Sequence, residues 1–114
     1  MAGTLKFSFN YDLDEELLTS PKKITLFRIV QEQLKNIIKH SNASLTQIVL
    51  QTKEDKVFLV ISDNGSGFNP QQTRQGIGLS NINERARFYN GTASIISSPG
   101  EGCTLTVTIP VHEN

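Results

Sequence analysis

The stretch "LKFSFNY" sets Leu5, Phe7, Phe9 and Tyr11 against Lys6, Ser8 and Asn10, the period-two alternation of a half-buried strand. After a polar stretch ending at Pro21, apolar residues fall at Ile24, Phe27, Val30, Leu34, Ile37 and Ile38, which is helical spacing. "LTQIVLQ" and "VFLVIS" are rich in β-branched residues, and the charged turn "TKEDK" joins them into an antiparallel hairpin ending at Asp63. A glycine-rich segment follows. Leu79, Ile82, Ala86 and Tyr89 then give a second amphipathic helix, closed by Asn90-Gly91, a pair suited to a left-handed C-cap. "TASIIS" and "CTLTVTIP" make a final hairpin around "SPGEG", with Cys103, Leu105, Val107 and Ile109 on one face and Thr104, Thr106 and Thr108 on the other. The order strand, helix, two strands, glycine segment, helix, two strands predicts an α/β (α+β) two-layer sandwich. Its sheet is mixed, mostly antiparallel, with the helices on one face.

Length and composition narrow the function. A chain of 114 residues with 37% hydrophobic content is one domain, 1–114, with one core and one main site. Lysine plus arginine equals aspartate plus glutamate at 11 each, so no electrostatic grip on nucleic acid or an anionic membrane is expected. Any anionic ligand must be held by local geometry. No apolar run approaches the about 18 residues of a membrane span, and "MAGTLKFSFN" lacks the marks of a signal peptide, so the stretch reads as cytoplasmic. Cys103 is the single cysteine, which excludes an internal disulfide, and with two histidines it leaves no basis for a structural zinc site.

Two features carry candidate chemistry. At about 100° per residue, the apolar positions of the first helix cluster on one side while Glu32, Asn36, Lys39 and His40 line the other. A solvated face is the plain reading of such a row. Asn36, however, is a poor helix former held mid-helix, and its amide oxygen is a hard neutral ligand of the kind magnesium accepts beside phosphates and water. The second feature is the stretch from Ser62 to Ala86, "SDNGSGFNPQQTRQGIGLSNINERA", which holds two G-x-G pairs. Asp63 ends a strand beside Gly65 and Gly67, where a carboxylate can accept from an amino group. Gly76 and Gly78 precede a helix, whose free N–H groups and positive dipole end favour phosphate. Either pair alone would read as turn glycines, and neither satisfies the dinucleotide or P-loop pattern.

Taken together, "FRIVQEQLKNIIKHSNA", "DNGSGF", "GIGLSNINERA" and "GEGCT" resemble the N box and three glycine boxes of the catalytic ATP-binding domain of bacterial sensor histidine kinases. That domain has the Bergerat (GHKL) fold, shared with gyrase and MutL, and the variants here look closest to the branch carrying PAS-type sensor modules. The resemblance runs from Leu5 to Pro110. It implies that Asp63 takes the adenine amino group, with Gly65 and Gly67 letting the backbone close over the base. Residues 68–75 would form an ATP lid, and the amides of Gly76, Ile77, Gly78 and Leu79 would meet the phosphates. Asn36 would bind Mg2+, Lys39 and His40 would lie near the phosphates or ribose, and Arg74 would reach the γ-phosphate. Mg-ATP would then be presented to a histidine on a separate dimerisation and phosphoacceptor domain, serving a response regulator indirectly.

The third box departs from the family's G-x-G-T, with Cys103 in the threonine's place, so that weaker nucleotide binding or compensation by Thr104 is expected. The short lid shows no F box. Neither His40 nor His112 resembles a phosphoacceptor, so the isolated chain is expected not to label itself. Three other functions stay open: a gyrase- or MutL-like ATPase with Glu32 as general base, a degenerate nucleotide-binding module without catalysis, and a related serine kinase that binds a sigma factor.

Overall fold

A computed structural model describes residues 5–67 and 76–112. Its elements are β1 (Lys6–Asp12), α1 (Ser20–Asn36) continued by a π-helical turn (Ile37–Ser41), β2 (Leu45–Lys53), β3 (Lys56–Asp63), α2 (Gly76–Phe88), β4 (Thr92–Ser97) and β5 (Cys103–Pro110). The strands form one sheet in the order β1-β2-β3-β5-β4. Only β1 and β2 are parallel, and the other neighbouring pairs are antiparallel. A parallel pair cannot be closed by a tight turn, so α1 serves as its crossover. β2 and β3 instead meet in a two-residue turn, Glu54 and Asp55, with φ of 53° and 65°. Left-handed values at both central positions give the twist that a tight hairpin needs. Helices and sheet form two layers, as the order of elements predicts.

Register assigns the sheet's faces. Ile48, Ile61, Leu105 and Ile95 form one rung across β2, β3, β5 and β4, and Leu50, Leu59, Val107 and Ala93 form the next. Leu59, Ile61 and Val107 are fully buried beneath Leu26 and Ile29 of α1 and Ile82 and Ala86 of α2. Each such aliphatic side chain contributes about 1.5–3 kcal/mol by leaving water. β1 is the outer strand. Its Phe7, Phe9 and Tyr11 share the helix side by register with Thr46, Ile48 and Leu50, yet stay about half exposed.

The face of α1 corrects the sequence expectation. Ile24, Phe27 and Ile38 are 52%, 62% and 66% exposed, whereas the buried line is Lys22, Leu26, Ile29, Gln33 and Ile37. The helix carries two apolar stripes roughly 150° apart at 100° per residue, and the one that meets the sheet includes two polar residues. Lys22 can be buried because its Nζ donates to the carbonyls of Pro110 at 2.9 Å and Val111 at 3.1 Å. Its aliphatic stem packs while its charge caps the end of β5, 5.9 Å from the centre of the Tyr89 ring. Pro21 sits in the first turn, where its missing N–H costs nothing. α2 behaves as its spacing predicts, with Ile82 and Ala86 buried and Tyr89 partly so, and Asn90 closing it at φ 61°.

Candidate functional site

At one end of the apolar sheet face the composition changes abruptly. The last rung reads Thr46, Asp63, Cys103 and Ser97 across the same four strands. Above it α1 and the π turn supply Gln33, Asn36, Ile37, His40 and Ser41, and these line one hollow with Asp63, Gly67 and Cys103. The cavity has a volume of about 30 Å³, room for a water or two, and it is open to solvent on one side.

Local hydrogen bonds fix this arrangement. Asn64 clamps the ends of β2 and β3 together: its Oδ1 accepts from the N–H groups of Ser44 at 2.9 Å and Leu45 at 3.0 Å, and its Nδ2 donates to Ser44 Oγ at 2.9 Å. Ser41 ends the π turn with its hydroxyl donating to the Ile37 carbonyl at 2.8 Å, while its own carbonyl accepts from Ser66 N–H at 2.7 Å. The loop after Asp63 is thereby tied to the helix. Such π turns often accompany functional sites. Gly65 has no side chain because a Cβ there would collide with the Ser41 carbonyl. Gly67 has φ +64° and faces the carbonyls of Ser98 and Gly102, so a larger residue would be both strained and crowded. These two glycines pack the loop onto its neighbours.

Asp63 is the site's charged centre. Its Oδ1 accepts from Gly65 N–H at 2.8 Å, and no second hydrogen bond engages the carboxylate among the described residues. Burial raises its pKa above the ordinary aspartate value, and the Gly65 N–H opposes that shift. Beside it, burial and then the Asp63 charge push the Cys103 thiol up to about 11, against contacts with Ser97 and Gln33 that favour the thiolate. Cys103 is therefore a protonated, weakly polar wall. Thr46 is fully buried, and its Oγ1 has no hydrogen-bond partner among the described residues.

Of the residues singled out from the sequence, Asn36, His40, Asp63, Gly67 and Cys103 are brought together, with Gly65 adjoining. Lys39 is exposed and outside the hollow, because the face that meets it runs Gln33, Asn36, Ile37, His40. Glu32 is half-buried, one turn before Asn36, and does not line the hollow either. Strand alternation puts Thr104 on the opposite face, opposite Ser62 in register, so it cannot compensate for Cys103. Gly76, Ile77, Gly78 and Leu79 open α2. Arg74 and the proposed lid at 68–75 lie outside the described residues. Gln33, Ser41, Thr46 and Asn64 were not singled out; polar residues on an otherwise apolar register, as at Gln33 and Thr46, are the signal that could have found them.

The donor set fits an adenine nucleotide with a divalent cation. A half-engaged carboxylate suits the base's amino group, and one amide oxygen suits a magnesium ion that keeps phosphate and water as its other ligands.

The family model described as histidine kinase-, DNA gyrase B- and HSP90-like ATPase matches residues 22–113. Among curated relatives, the histidine-protein kinase/phosphatase UhpB of Salmonella typhimurium is 38% identical over 89% of this chain and 20% of its own length. The sensor histidine kinase LiaS of Bacillus subtilis is 35% identical over 89% of this chain and 28% of its own. The chain thus spans about a fifth to just over a quarter of these relatives. Among solved structures, the ATP binding domain of PrrB from Mycobacterium tuberculosis is 30% identical with a TM-score of 0.64, covering 76% of this chain and 67% of that one. A blue-light activated histidine kinase of Erythrobacter litoralis gives a TM-score of 0.80 at 17% identity over 96% of this chain and 36% of its own, a likeness of fold. No helix among the described residues is long and apolar enough to cross a membrane.

Proposed function

We propose that the chain, which belongs to the histidine kinase-, DNA gyrase B- and HSP90-like ATPase family, is the ATP-binding catalytic module of a sensor histidine kinase. It holds Mg-ATP so that a histidine on a separate dimerisation and phosphoacceptor domain receives the γ-phosphate. The observation that carries this reading is Asp63, a partly buried carboxylate with only one hydrogen bond from the described residues, set in a polar rung that closes an apolar sheet face.

The roles follow from the chemistry of each group. Asp63 accepts from the exocyclic amino group of the base, which a guanine carbonyl at the same place could not offer. Asn36 would hold the metal through its amide oxygen, and His40 lies on the same face of the helix. The first N–H groups of α2 face phosphate oxygens. Bound Mg-ATP supplies the phosphoryl group that is transferred. The chain contributes orientation and charge neutralisation, and none of its side chains acts as a nucleophile.

The named relatives, a histidine-protein kinase/phosphatase and a sensor histidine kinase, are several times longer than this chain, which supports a longer parent protein; we assign it a dimerisation segment and a sensor. We place this module in the cytoplasm, where ATP and a response regulator meet.

Incubation of the chain with magnesium and γ-labelled ATP tests the reading. Bound nucleotide, no stable protein label and little free phosphate are expected. Rapid phosphate release that is lost in Glu32→Gln would make the chain a water-using ATPase. Stable label removed by replacing His40 or His112 would contradict the account, and failure to bind ATP would make it a degenerate module.

A further inference from the structure

Gln33 is 3% exposed, in the middle of the helix face that packs on the sheet. Its contacts are sparse for so buried a carboxamide. Asn36 Nδ2 donates to Gln33 Oε1 at 3.4 Å, and Gln33 Nε2 donates to Cys103 Sγ at 3.9 Å. Both are long, and sulfur is a weak acceptor. Burying a polar amide on such terms costs stability that an apolar side chain of similar length would not lose. Lys22, the other buried polar residue of α1, caps the end of a strand through two short hydrogen bonds. Gln33 holds no comparable structural pair, and both of its partners line the hollow.

The amide of Asn36 gives Gln33 a role. An asparagine binds a cation only through Oδ1; turned over, it presents an NH2 group with no lone pair to offer. The Gln33 carbonyl oxygen attracts N–H and repels a second carbonyl oxygen. It therefore selects the orientation in which Asn36 Nδ2 is engaged along the helix and Oδ1 is left without a hydrogen bond among the described residues. Gln33 is itself held by Cys103, whose raised thiol stays protonated and uncharged, so no ionic partner competes for the amide. Outer partners of this kind commonly fix the aim of a metal ligand.

We propose that Gln33 is a positioning residue that aims the carbonyl oxygen of Asn36 at the divalent cation accompanying the nucleotide. The proposal rests on the nucleotide-binding reading above and adds to it the residue that sets the metal ligand's orientation.

Calorimetric titration of the full chain with ATP, with and without magnesium chloride, and separately with adenosine, provides the test. Gln33→Met keeps the side chain's length and removes the acceptor, while Gln33→Glu keeps an acceptor oxygen towards Asn36. Circular-dichroism melts report that each variant is folded. In Gln33→Met the gain in ATP affinity from magnesium should fall about tenfold, with adenosine affinity within about twofold of the starting protein. Gln33→Glu should retain most of the magnesium gain. Full retention of that gain in Gln33→Met, or an equal loss for adenosine and Mg-ATP, would overturn the proposal and leave Gln33 as packing. An Asn36→Ala variant that loses the magnesium gain beside a Gln33→Met variant that keeps it would overturn the positioning role alone. A starting protein that binds neither ATP nor adenosine would overturn the nucleotide reading and this proposal together.

Discussion

The rung Ile48, Ile61, Leu105, Ile95 and the rung Thr46, Asp63, Cys103, Ser97 lie on the same strands and the same face, two residues apart, or about 7 Å. The first is apolar in every strand, and its Ile61 and Leu105 are sealed beneath the helices. The second has a carboxylate whose pKa is raised by burial, a thiol pushed up to about 11 and a buried hydroxyl with no partner among the described residues. Stability resides in the first rung. The second keeps polar groups that fold stability alone does not explain, which is where a binding function is to be sought.

Substitutions should separate the two rungs. Ile61→Ala removes a fully buried side chain and should lower unfolding free energy by about 2–5 kcal/mol, read from the urea midpoint. A change below about 1 kcal/mol would mean that this rung is not the core.

The Cys103 thiol offers a second separation. Its folded pKa lies above the ordinary 9.0, at about 11. Over that window the folded chain binds more protons than the unfolded one, so Cys103 makes stability fall as pH rises from 9 towards 11. At pH 8 the native chain should react with a thiol reagent about a hundredfold more slowly than the urea-unfolded chain. Equal rates would show that the rung is open and hydrated.

The smallest effect is expected at Thr46. Thr46→Val replaces an unpartnered buried hydroxyl by a methyl group and should raise stability by about 1 kcal/mol in the same urea titration. A loss of stability would show that Oγ1 has a partner, such as a bound water, and would weaken the contrast between the rungs.

Much of this was legible in the chain. Alternation located β1 and β5, β-branched runs located β2 and β3, the turns "TKEDK" and "SPGEG" located the two hairpins and with them β4, and the strand end located Asp63. The orientation of α1 was not legible, because Ile24, Phe27 and Ile38 form as regular a stripe as Leu26 and Ile29. Only the docked helix shows which stripe meets the sheet. Lys22 and Gln33 were hidden for the same reason: periodicity counts a buried lysine or glutamine as solvent-facing, whereas a pair of strand-end carbonyls or a hollow can hold it. Lys39 and Glu32 joined Asn36 and His40 by sequence spacing alone, and the docked helix leaves both outside the hollow. Thr104 shows the converse, since the alternation that located its strand also turns it away from the pocket.

The central claim is that the polar rung binds an adenine nucleotide through Asp63. Calorimetric titration of magnesium and a non-hydrolysable ATP analogue into the chain and into Asp63→Ala, with urea midpoints for both, tests it most directly. The account predicts saturable binding by the chain and a loss of about a hundredfold or more in the variant, as expected when a partly buried carboxylate's hydrogen bond is removed, with the urea midpoint nearly unchanged. Equal affinity in Asp63→Ala, or no binding by the chain itself, would contradict it.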